Sequence, residues 1–135
     1  MIAEKLGWTE QRVSELRFAA ILHDIGKIHI PGSILFKTEP LTEADWAVIR
    51  RHPVVGAEML KDVPHLIGCI PIVRHHHEHW DGRGYPDGLA GTDIPEGARI
   101  LAIADSLDTM TAPTPYRAEK TLEAACAKYG SCSTR

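Results

Sequence analysis

The 135-residue sequence has little from which a covalent or membrane scaffold could be built. Its three cysteines, Cys69, Cys126 and Cys132, are odd in number, widely spaced and outside any CxxC pattern, which argues against a disulfide framework and against a thiolate zinc site. A reducing cytoplasm suits that usage. No apolar run approaches the roughly 20 residues of a membrane-spanning helix, and the start carries no basic-then-apolar signal peptide. Positive charge is not in excess either: 15 Lys+Arg stand against 18 Asp+Glu, a formal net charge of -3. A broad electrostatic grip on DNA or anionic membrane is therefore not expected, and any phosphate chemistry has to be local. Repeats, low-complexity tracts and long charge blocks are missing as well, so residues 1–135 read as one domain.

Histidine is abundant instead. There are eight, and His75, His76, His77 and His79 fall within five consecutive residues. The cluster is internal and follows the apolar Ile70, Ile72 and Val73, so it is not an expression tag.

Helical signals run the length of the chain, and no alternating strand pattern is evident. Met1 to Leu6 reads as a helix tail stopped by Gly7. Thr9 is an N-cap for a helix with Val13, Leu16, Ala20 and Ile21 on its apolar side, ending at His23 and Asp24 and closed by Gly26. Ile28 to Thr38, with Pro31 and Gly32, reads as a loop. Thr42 to Asp45 forms a near capping box ahead of Trp46 and Ile49, and Pro53 restarts a helix just after His52. Another helix opens near Pro64 and carries Leu66, Ile67, Ile70 and Val73 into the histidine cluster. Trp80 to Pro95 reads as a structured loop. Pro95 and Glu96 start a helix through Met110, and Glu119 to Lys128 forms a last one. The expected fold is all-α, with polar ligand candidates at helix ends.

His23 and Asp24 emerge where an apolar helix leaves the core. An imidazole nitrogen beside a carboxylate oxygen suits Mn, Fe or Zn better than Ca or Mg, although a helix-terminal histidine with a capping aspartate is the plainer alternative. Gly26 permits close backbone approach, and Lys27 is a compact cation for a phosphate or a leaving oxygen, or simply a solvated side chain. His76 and His77 are helix neighbours whose side chains diverge by about 100°, so each would serve a different ion of a close pair. His29, His65, His75 and His79 read as solvent-facing or supporting groups. Asp105 sits in the apolar stretch from Ile100 to Ala104, where an ionised carboxylate needs a metal ion or a salt bridge to Arg99 or Arg117.

The ordered strings HDIGK, RRHP, HHHEHWDGRGYPDGLAG and IPEGARILAIADSLD resemble the HD-GYP branch of the HD phosphohydrolase superfamily, from about Ile2 to Arg117. The resemblance implies an HD-domain helical bundle with a metal site at its centre. Carried over position by position, it implies metal ligation by His23, Asp24, His52, His76, His77 and Asp105, with Asp24 as the bridge and two or more divalent ions, iron or manganese first and zinc as the alternative. Asp24 and Lys27 are then the candidate catalytic residues. Tyr85 and Pro86 would shape the substrate rim, and Arg117 would contact phosphate. The implied activity is hydrolysis of cyclic di-GMP to pGpG or GMP by a cytoplasmic output domain behind a sensor or receiver domain.

Three departures bear on that expectation. Ligands that the family carries on a preceding helix would fall before Met1, and the family continues into further helix beyond Arg135, so the domain reads as incomplete at both ends. Thr114 stands where an arginine is common, removing a charge-assisted contact worth about 1.5 to 3 kcal/mol. These features keep two alternatives open: a catalytically impaired cyclic dinucleotide sensor, and a general HD-type nucleotide phosphohydrolase.

Overall fold

The structure is a computed structural model that describes residues 2–111. Arg117, Thr114, Cys126, Cys132 and the helix expected over 119–128 lie outside the described residues. Among the described residues the fold is all-helical, as expected, and the nearest approach to a sheet is one isolated antiparallel bridge between Asp81 and Ala90.

Helix α1 (Ile2–Lys5) stops at Gly7, whose φ of 75° is the left-handed geometry that favours glycine. Helix α2 (Glu10–Leu22) starts at Thr9, whose hydroxyl accepts the Arg12 backbone N–H at 3.4 Å. Its buried face is Val13, Leu16 and Ala19, with Leu22 packed against the core. The expectation that Ala20 and Ile21 line that face is corrected: Ala20 is exposed and Ile21 is 78% exposed. They lie about 100° and 200° round the helix from Ala19, so choosing 19 over 20 as the third core position turns both outward.

Past Leu22 the chain tightens into a 3-10 turn, Ile25–His29, and after Pro31 it forms a short helix, α3 (Gly32–Leu35). The loop expected over 28–38 is therefore largely helical. Gly26 does not close α2 either. It is buried inside the 3-10 turn, where an added Cβ would collide with the His52 carbonyl oxygen and lie 2.7 Å from the Gly56 nitrogen. Gly26 thereby lets that turn meet the His52 and Gly56 backbone of helix α5 (His52–Leu60) directly. This contact brings the end of α2 to the start of α5.

Before α5, helix α4 (Glu43–Ile49) opens with a full capping box: the Asp45 N–H donates to Thr42 Oγ1 at 3.2 Å, and the Thr42 N–H donates to Asp45 Oδ2 at 2.8 Å. Pro53 sits in the first turn of α5, as its missing N–H requires. The helix expected from Pro64 begins as a 3-10 segment, Pro64–Cys69, and becomes α6 (Ile70–His75) only afterwards, leaving Ile67 exposed. Helix α7 runs Glu96–Thr111.

The chain divides into two compact units, Met1–Leu101 and Ala102–Arg135. The first holds a core of Ala3, Val13, Leu16, Ala19, Leu60, Cys69, Ile72, Val73 and Leu101. Within it α5 packs against both the 25–29 turn and α6, which sets up the convergence described next.

Candidate metal centre

Three helix ends meet in the first unit. His23 and Asp24 follow α2, His52 is the first residue of α5, and His76 and His77 follow α6. Asp24, His52, His76 and His77 each bring one ligand atom to a cluster in which all lie within 4.8 Å of one another. His23 stands beside it, with Nε2 3.6 Å from Asp24 Oδ2 and its ring edge-on to His76 at 5.0 Å. Four of the six expected ligands share the cluster, and His23 adjoins it.

A repeated local device orients three of the rings. His23 donates Nδ1–H to the Ala20 carbonyl at 2.8 Å, His52 to the Ile49 carbonyl at 2.8 Å, and His76 to the Val73 carbonyl at 2.7 Å. Each acceptor lies three residues back, a carbonyl that the ending helix leaves within reach of the ring. A carbonyl only accepts, so Nδ1 carries the hydrogen and Nε2 is presented to the cluster. His77 has no such latch; its ring instead stacks on Tyr85, 4.8 Å between centroids and 27° between planes.

The expectation that His76 and His77 diverge on a helix is corrected. Helix α6 ends at His75, so the 100° step no longer applies, and their rings approach to 4.1 Å between centroids. Both face one cluster.

The electrostatics of the donor set suit a cation. His52 Nε2 lies 3.3 Å from Asp24 Oδ1 and 3.4 Å from His76 Nε2. With both Nδ1 hydrogens committed to carbonyls, these lone pairs can face one another only across a proton or a metal ion. Burial, reinforced by neighbouring imidazoles, pushes the His76 pKa down to about 4 and that of His77 down to about 3, so protons are disfavoured there near neutral pH. Burial on its own would raise the Asp24 carboxyl, but its close contacts with His52 and Lys27 outweigh it and hold the group well below the usual carboxylate range. Neutral imidazoles around an ionised carboxylate are the ligand states that a divalent ion requires, and the donors fit one.

Lys27 is placed by the same turn. Its Nζ lies 2.7 Å from Asp24 Oδ2, so the expected phosphate contact is ion-paired with the candidate bridging ligand. Asp105 lies in the second unit, on α7. The burial expected of it there is partial: Asp105 is half-buried, with Ile103 and Ala104 exposed beside it. His29, His65 and His79 are exposed, as expected.

The loop from Trp80 to Pro95 is ordered by residues that sequence reasoning missed. Glu78 is 4% exposed, and its carboxylate accepts the backbone N–H groups of Asp87, Gly88 and Leu89 at 2.7, 3.0 and 3.1 Å. Asp87 takes a two-pronged contact from Arg74, 2.8 Å to each oxygen, and a third from His75 Nε2 at 2.9 Å. The Arg74 hydrogen bonds hold the Asp87 carboxyl below its ordinary pKa. His75 is accordingly a supporting group rather than a solvent-facing one. Gly82, Gly88 and Gly91 take positive φ at the turns, and Tyr85 and Pro86 are half-buried between them. The available signal was a lone carboxylate inside HHHEHWDG, just ahead of a glycine-rich loop.

Comparison with known proteins adds an independent line. The HD domain family matches residues 1–130. The chain is 45% identical over 130 residues to the cyclic di-GMP phosphodiesterase response regulator RpfG of Xanthomonas campestris, covering 94% of this chain and 34% of that protein. It is 43% identical over 134 residues to a cyclic di-GMP phosphodiesterase of Thermotoga maritima, covering 98% and 36%. To the 3'3'-cGAMP-specific phosphodiesterase 2 of Vibrio cholerae it is 39% identical over 118 residues, covering 86% and 23%. Among solved structures, Bd1817, an HDG"Y"P protein from Bdellovibrio bacteriovorus, superposes with a TM-score of 0.71 at 27% identity, covering 98% of this chain and 42% of that one. The chain spans about a third of the length of the first two relatives.

Proposed function

This chain belongs to the HD domain family, and from that premise we propose that it is the metal-dependent core of a phosphodiesterase that hydrolyses cyclic di-GMP. The observation that carries the proposal is the cluster of Asp24, His52, His76 and His77, whose donor atoms lie within 4.8 Å of one another. In this reading His23, Asp24, His52, His76, His77 and Asp105 would hold the ions, with Asp24 the ligand that they would share, and Arg117 would contact phosphate. Iron or manganese is the expected metal, with zinc the alternative. Bound divalent ions would supply Lewis-acid polarisation of a phosphate oxygen and activation of water at neutral pH.

The remaining work falls to this chain's own groups. Nδ1–H bonds to helix-end carbonyls keep Nε2 of His23, His52 and His76 aimed inward without reorganisation. Lys27 holds Asp24 ionised through its 2.7 Å contact and places a cation where phosphate charge would gather. The ring of Tyr85, with Pro86 beside it, borders the cluster through His77 and would guide a base or ribose.

Relatives named for 3'3'-cGAMP support a second substrate of the same class, since both compounds are cyclic dinucleotides containing guanine. Location in the cytoplasm and an attached sensor or receiver domain belong to the proposal, the latter supported by the response regulator RpfG. No described helix is long and apolar enough to cross a membrane. The test is to measure metal content and turnover of cyclic di-GMP and 3'3'-cGAMP with and without a chelator. Metal-dependent cleavage of either supports the proposal. Binding without turnover means a sensor, and turnover of other phosphoesters alone means a general phosphohydrolase.

A further inference from the structure

His77 differs from its neighbours in how it is held. His23, His52 and His76 are latched to carbonyls, whereas among the described residues no hydrogen bond fixes the His77 ring. Besides the rings of His76 and His52, what lies against it is the face of Tyr85, the one stacked contact among the three. Tyr85 in turn is fixed at the backbone: its N–H donates to the His77 carbonyl at 3.2 Å. The residue before it, Gly84, lies so close that an added Cβ would collide with the His77 carbonyl, the Glu78 Cα and the His79 nitrogen. Residues 84 and 85 are thus laid flat on 77–79. On the far side, the buried Glu78 carboxylate gathers the three N–H groups of residues 87–89. One short stretch therefore faces two ways, with His77 turned to the cluster and Glu78 turned under the loop that returns Tyr85 to His77.

We propose that Glu78 and Tyr85 are positioning residues for His77, the carboxylate anchoring the loop and the tyrosine face setting the plane of the imidazole as a carbonyl does for the other three. The proposal rests on His77 being a metal ligand. It gives Tyr85 a role toward the metal that does not depend on substrate. The hydroxyl is dispensable for that role and the aromatic face is not.

The experiment compares Tyr85→Phe, Tyr85→Leu, Glu78→Gln and the Glu78→Gln/Tyr85→Leu double variant, with helicity checked by circular dichroism. Cobalt(II) is the probe, read by competition titration and by its visible spectrum. Tyr85→Phe should keep the cobalt affinity and spectrum, whereas Tyr85→Leu should weaken binding by about tenfold and shift the spectrum, the scale seen when a ligand's outer partner is lost. Glu78→Gln should act in the same direction, and the double variant should be no weaker than Tyr85→Leu alone, because the two act in series. Wild-type cobalt affinity and spectrum in Tyr85→Leu, with only substrate KM raised, would make Tyr85 a substrate contact and overturn the proposal. Multiplying losses in the double variant would overturn the serial link. If the wild-type protein binds no cobalt, the functional reading fails by itself, and the His77 ring signal in the metal-free protein decides: moved by Leu but not by Phe supports the positioning, unmoved by both overturns it. Should Glu78→Gln not fold, the Phe and Leu pair carries the same decision.

Discussion

The two walls of the candidate centre are assembled by different physics. Around Asp24 and His52 the chain is placed by steric fit: Gly26 and Gly56 carry no side chain, and the 25–29 turn rests directly on the backbone of α5. Around His77 it is placed by polar satisfaction: a buried carboxylate collects three N–H groups and an aromatic ring lies on the ligand. At Gly26 the first wall admits no added atom, because neither backbone can yield without moving a whole helix. The second can be loosened one contact at a time. Substitutions in the first wall should accordingly act as all or none, and those in the second should be graded.

The largest effect is expected from Gly26→Ala. Its Cβ would enter the space of the His52 carbonyl, and overpacking against rigid backbone should cost about 3 kcal/mol and separate Asp24 from His52. Urea unfolding together with metal content checks this; wild-type values for both would abolish the steric half of the comparison.

Next is Glu78→Ala, which strands the three N–H donors of residues 87–89. A loss of about 2 kcal/mol is expected, with proteolytic nicking confined to the 80–95 loop while the contact between the 25–29 turn and α5 stays protected from hydrogen exchange. Protection lost equally in both regions would mean that the two walls are not separable.

Asp87→Asn should be milder. It weakens a partly exposed ion pair with Arg74, worth at most about 1 kcal/mol, and that loss should shrink in high salt.

A control far from either wall is Lys37→Met. The hydrogen bond from Lys37 is the leading cause holding Asp45 down to about 2, and the capping-box contacts to Thr42 add to it. A carboxyl depressed in the folded state stabilises above its unfolded pKa and loses that contribution as pH falls through the folded value. The stability gap between wild type and Lys37→Met should therefore be full above about pH 4 and close toward about pH 2. A constant gap across that range would contradict the assignment. Metal content should not change.

The same contrast explains what could be read before the structure. Helix starts at Thr9, Thr42 and Pro53 were legible because capping is decided within three residues. The ligand types at His23, Asp24, His52, His76 and His77 stood out as imidazoles and a carboxylate at helix ends. The steric wall is half legible: the sequence marks Gly26 both as a close approach and as a helix stop, and only the first role holds, because its collision partner is 26 residues away. The convergence of His76 and His77 was misjudged because no local signal shows that α6 ends at His75. Glu78 was missed for a related reason, since its partners lie nine to eleven residues onward in a loop whose path the pattern does not specify. Local rules reached the ligands, and non-local packing decided how they are held.

The central claim is that Asp24 ties the cluster together. It is tested most directly by metal-to-protein stoichiometry in wild type, Asp24→Ala, His76→Ala and His77→Ala, with helicity measured on the same samples because unfolding would also release metal. One carboxylate can bridge two ions, whereas each imidazole nitrogen binds one. Asp24→Ala should thus retain almost no metal while folded, and each histidine variant should lose mainly one ion. A folded Asp24→Ala protein with the full wild-type complement would contradict the claim.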